Sequence, residues 1–150
     1  MNKKTLIATS IALLVSQGCA TERTAIRSGD NRPCVTNYST VGELWTGKQF
    51  KTFEDFPKVS TAIAFEKVAA AVASHGYQIR SINKDLGIIS ASQDVSFSSG
   101  GKTIPLNAVV KSSTGGGARV ELLFSFSAGL ATSADAVQDA LCEILAPVSR

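Results

Sequence analysis

Histidine is nearly missing from this sequence: His75 is the single one in 150 residues. One histidine and a spare pair of cysteines cannot build a usual zinc site, so no metal is expected. No serine lies in a Gly-x-Ser-x-Gly elbow; Ser90, Ser92, Ser96, Ser98, Ser99, Ser125 and Ser127 alternate along strand-like stretches as solvated side chains do. The glycine run Gly115-Gly116-Gly117 lacks the following Lys and Ser/Thr of a phosphate cradle, and like Gly100-Gly101-Lys102 it sits between strands, not before a helix, which makes both hairpin loops. Acid pairs are no better placed, with Glu54-Asp55 in an irregular stretch and Asp135 and Asp139 on a polar helix side. There is no run of five basic residues, which argues against nucleic acid as a partner. The expectation is a non-enzyme without cofactor.

What is present is an address. Lys3 and Lys4 precede an uncharged, mostly apolar stretch, Thr5–Val15, and Ser16-Gln17-Gly18 lead into Cys19. A basic start, an apolar core and small residues before a cut are what secretion requires. The apolar run falls well short of the roughly 20 residues that cross a bilayer as a helix. The tetrad Ser16-Gln17-Gly18-Cys19 resembles the bacterial lipobox, with Ser16 standing where leucine is commonest. That resemblance implies a lipoprotein signal peptide at residues 1–18, cleavage before Cys19, and lipidation of Cys19. A plain secreted protein with a chance cysteine near its cut is the other reading. Ala20, where aspartate would imply retention in the inner membrane, implies an anchor in the outer membrane, facing the periplasm. Loss of residues 1–18 leaves thirteen basic against twelve acidic side chains, a net charge of about +1.

With Cys19 modified, Cys34 and Cys142 remain as an even pair in an oxidising compartment. Either they bridge, pinning the N-terminal segment to the last helix, or they stay as two thiols. Residues 19–33 read as a lipidated tether, polar and without period, and residues 34–150 as one α+β domain.

Within the domain the periodicity predicts a helix after Pro57, capped by Ser60 or Thr61, carrying Ala62, Phe65, Val68, Ala69 and Val72 on one face and ending at His75-Gly76. Four strands follow, Tyr77–Asn83, Gly87–Phe97, Thr103–Ser112 and Arg119–Ser127, with a tight turn at Lys84–Gly87. A last helix opens at Thr132-Ser133-Ala134-Asp135, read as a capping box, and bears the stripe Ala136, Val137, Ala140, Leu141, Ile144, Leu145 and Val148. The architecture expected is a two-layer sandwich: an antiparallel four-stranded sheet with two helices on one face, and Gln49–Phe53 as an extra N-terminal strand.

Strand alternation sends Ile104, Leu106, Ala108, Val110, Val120, Leu122, Phe124 and Phe126 towards the helices. It sends Ile82, Ile88, Val109 and Leu123 outward as an apolar strip. Two readings of that strip are open: Trp45, Phe50 or Phe53 folds over it, or an envelope protein docks there.

The stretch Ala64–Ser92, with a helix ending at Gly-Tyr and a hairpin on Lys-Asp-x-Gly, resembles a module of Gram-negative lipoproteins. Residues 34–148 look like a small uncharacterised family of proteobacterial lipoproteins. More distantly, the helix–sheet–helix order is similar to the helix-grip domains of the C lipoprotein of the outer-membrane β-barrel assembly machinery. These resemblances imply a fold and a compartment and carry no functional residues. The function expected is a membrane-anchored, non-catalytic envelope module that binds or supports another protein. A binding module for a small apolar or cell-wall ligand is the alternative.

Overall fold

The computed structural model describes residues 29–43, 45–94, 103–128 and 132–150. The expected signal peptide, Cys19, most of the expected tether, and Ser96, Ser98 and Ser99 lie outside the described residues. Among the described residues no helix is long and apolar enough to cross a membrane.

Ten-residue and shorter strands form one antiparallel sheet of six, ordered β1-β2-β6-β5-β4-β3. The strands are β1 (Ser39–Glu43), β2 (Gly47–Phe56), β3 (Gln78–Asn83), β4 (Ile88–Asp94), β5 (Thr103–Ser112) and β6 (Ala118–Phe126). Helix α1 (Pro33–Thr36) precedes them, α2 (Thr61–Ser74) connects β2 to β3, and α3 (Ala134–Leu145) closes the chain with a short 3-10 turn at Ala146–Ser149. The expected four-stranded sheet with two helices is therefore corrected to six strands and three α-helices among the described residues. Two of these elements carry no period of their own. Strand β1 is five residues on a sheet edge with no alternating apolar pattern, and α1 is a single turn started by Pro33 at its first position. The segment at Gln49–Phe53 is not an accessory: β2 spans ten residues and pairs with β6 from Lys48↔Phe126 to Phe56↔Ala118. It makes β6 a central strand.

Because β2 and β3 lie far apart in the sheet, α2 must cross the helical face to join them. Its start is fixed by Ser60, whose Oγ accepts from the Ile63 amide at 3.3 Å. It stops at Gly76, with φ of 81°, where the amides of Gly76 and Tyr77 fold back onto Ala73 and Val72 carbonyls. Phe65, Val68 and Val72 are buried as their spacing predicts, but Ala64 and Ala71 join them and Ala62 is exposed. Alanines flank the bulky residues on both sides, so the exact stripe is chosen by the partner surface. Helix α3 is capped by Ser133, accepting from Ala136 at 3.1 Å, one residue later than the expected box. Its Val137, Leu141, Ile144 and Leu145 meet α2 and the sheet, and Gln138 is buried among them.

The core lies between these helices and one side of the sheet. Phe50 of β2, Val120, Leu122 and Phe124 of β6, Leu106, Ala108 and Val110 of β5, and Ile89 and Ala91 of β4 supply the sheet side. Phe126 meets both Phe50 and Phe124 edge to face, and Phe50 and Phe124 are tilted at 50°, with ring centres 4.9 to 6.3 Å apart. Cys34 of α1 and Cys142 of α3 stand at disulfide distance, Sγ to Sγ 2.11 Å and Cα to Cα 5.4 Å, both buried. Thr52 donates from Oγ1 to the Cys34 carbonyl at 2.7 Å, which seats α1 on β2.

Candidate functional site

Directly opposed residues of an antiparallel pair point to the same side of a sheet. The register therefore fixes what the uncovered face displays. One row runs Phe53, Glu121, Val109, Ile88 across β2, β6, β5 and β4. The next runs Ser39, Lys51, Leu123, Asn107, Ser90. Ile88 and Val109 are thus direct neighbours and Leu123 is diagonal to Val109, as the alternation predicts.

Ile82 is not with them. The pairing of β3 with β4 slips between Ile79 and Ser81, so that Ile82 faces Ile89, a core residue on the helical side. One extra residue at Arg80 reverses the parity of everything after it. Ile82 is 47% exposed there, at the sheet edge beyond the helices.

No aromatic of the N-terminal segment folds over the strip. Phe50 is in the core, and Trp45 projects from the β1–β2 turn at 82% exposure. Phe53 joins the strip from within the sheet. Phe53, Val109 and Leu123, all half-buried, line a groove of about 400 Å³ together with Lys51, Asn107 and Glu121.

One end of this face is ionic. Asp55 on β2 accepts from Arg119 Nε at 2.9 Å, Arg119 Nη2 at 2.6 Å and Ser113 Oγ at 2.7 Å. Those hydrogen bonds, Arg119 first and Ser113 next, hold the Asp55 carboxyl down at about 2. Arg119 also covers the Phe53 ring at 4.5 Å, and Lys111 pairs with Glu121 at 2.6 Å. The result is a mixed face: Phe53, Val109 and Leu123 stand among paired charges, with Glu121 between Phe53 and Val109.

A second opening, of about 250 Å³, lies between α3 and the sheet, lined by Ile104, Phe124, Phe126, Val137 and Leu141, with Tyr77, Gln93 and Thr132 as its polar members. Burial pushes the Tyr77 hydroxyl up to about 12, so it is a neutral hydrogen-bonding group. His75 stands at the end of α2, 3.9 Å from Glu143 of α3. Among the described residues there is no group of three or more His, Cys, Asp or Glu that could hold a metal ion.

No protein-family model matches the chain, and no curated protein does. Among solved structures it is similar to the crystal structure of Ara h 8.0201, at 13% identity and a TM-score of 0.39, over 68% of this chain and 97% of that one. A likeness that slight assigns no family and no function.

Proposed function

We propose that the chain is a lipid-anchored, non-catalytic module of the bacterial outer membrane, held at Cys19, whose periplasmic domain docks another envelope protein on the uncovered face of its sheet. The observation that carries the docking part is the groove of about 400 Å³ around Phe53, Val109 and Leu123, half-buried apolar side chains that no helix among the described residues covers. On the helical side Leu122, Leu141, Ile144 and Val68 are each less than 2% exposed, so the centre of that side is packed and only the smaller opening beside α3 remains. The lipobox-like Ser16–Cys19 supports the anchor, and the close approach of Cys34 and Cys142 suits an oxidising compartment in which they bridge.

A photo-crosslinking residue at Val109 in the native envelope tests the reading. The expected result is a discrete adduct, absent when the same residue stands at Thr114 in the β5–β6 loop and lost in Leu123→Asp with thermal stability unchanged. Equal labelling at both positions overturns the docking face.

The opening beside α3 favours a second reading, a module for a small apolar ligand with Tyr77 and Gln93 holding its polar end. At about 250 Å³ it falls just below the usual range for such pockets, which ranks it second. Ala140→Phe, placed to fill that opening, separates the two: apolar-probe binding lost with the Val109 adduct intact supports the ligand.

A further inference from the structure

Tryptophan occurs once in the chain, and it stands exposed on a hairpin turn. Trp45 is 82% exposed at the turn joining β1 and β2, and Val41, two residues before the end of β1, is 47% exposed. The turn is built tightly. The Thr46 amide returns to the Glu43 carbonyl at 3.2 Å, and both flanking glycines have positive φ, 92° at Gly42 and 103° at Gly47. A side chain at Gly42 would strike the Gly47 carbonyl oxygen, so only glycine lets the strands close here. The hairpin thus holds an amphipathic indole away from its own core.

We propose that this hairpin tip seats in the interfacial layer of a lipid bilayer, with Trp45 at headgroup depth. The inference rests on the lipid-anchored reading for the membrane's nearness. Three observations bear on lipid as the occupant. An indole with an apolar body and one N–H donor partitions well to the headgroup boundary. Lys48, one residue past the turn, stands against one carboxylate, Glu43, while Lys51 lies opposite Ser39 at the far end of β1. The tip itself is thus close to neutral and is not repelled by anionic headgroups. Finally, the chain enters the domain at α1, directly before β1, and the tip is only one short strand further on. Residues 20–32 span at most about 45 Å when extended, which exceeds the about 17 Å length of a five-residue strand. The lipid attachment and the tip can therefore reach one surface together.

Trp45 is its own reporter. The chain as the cell processes it is purified and reconstituted into vesicles of phosphatidylethanolamine and phosphatidylglycerol, with and without chain-brominated lipid, and its intact mass is recorded. Emission shifted to shorter wavelength and quenched by the brominated lipid is the expected result. Moving the reporter to the outer face, with Trp45→Phe and Phe53→Trp combined, should give emission insensitive to bromine. An acylated chain whose Trp45 is not quenched overturns the hairpin contact and leaves the anchor standing. A chain without acyl groups whose Trp45 is still quenched by added vesicles supports the contact and removes the anchor. A shift that follows protein concentration and ignores bromine means a second copy covers the tip, and overturns the proposal.

Discussion

Asp55 gathers hydrogen bonds from two separate parts of the chain, the start of β6 and the loop before it, onto one carboxylate of β2. Its charged form is favoured in the folded state, with the carboxyl lowered from an ordinary 3.8 to about 2. A depressed carboxylate contributes its stability above the unfolded value and loses it as pH falls through the folded one. Denaturant midpoints of the wild type should therefore fall between about pH 4 and about pH 2, and Asp55→Asn should be flatter across that window. Both side chains of the pair are about a third exposed, so solvent screens the interaction and the effect on stability at neutral pH should be small. Nothing in Glu54-Asp55 as a sequence pair announces this role, because the partner at Arg119 is 64 residues away. Ile82 is the converse. Its alternation is regular in sequence, and a single bulge at Arg80 sends it to the other side.

At the level of elements, α1 and α3 meet through Cys34 and Cys142, which are 108 residues apart in sequence. A bridge closing a loop of that length is nominally worth about 4–5 kcal/mol by chain entropy, and often less. Replacing both cysteines by serine should lower the thermal midpoint and let α1 leave β2 first, read as faster amide exchange at Val35 and Thr36. Reductant alone should act slowly on the wild type, since both sulfurs are buried. The elements that were legible in sequence are those whose own period suffices: α2 and α3 with residues at helical spacing, and β5 and β6 with strict alternation. Strand β1 and helix α1 were not, because five and four residues bury only Thr40, Cys34 and Val35 between them. They exist through their partners. β1 completes an edge of β2, and α1 lies where Thr52 and Cys142 receive it. The docking groove was half legible, since Val109 and Leu123 follow from alternation, whereas Phe53 needed the discovery that β2 is a full member of the sheet.

For the whole molecule, the proposed anchor is the thiol of Cys19, and the proposed contact of the β1–β2 tip is too small to hold the domain on a membrane alone. A Cys19→Ala form should lose acylation by intact mass and leave the membrane fraction, with the spectroscopic signature of the folded domain unchanged. If that form is processed and fractionates like the wild type, the anchored reading falls and the domain is a secreted one.

The position of Cys34 also decides how the domain would answer a pull. It is the second residue of α1, so tension arriving along the preceding chain meets the Cys34–Cys142 link before it reaches any strand. With that link closed, load divides at once between β1 and α3, and the weak edge strand is spared from being unzipped alone. A module tugged between a bilayer and a docked neighbour would stretch its leash while its sheet stayed whole.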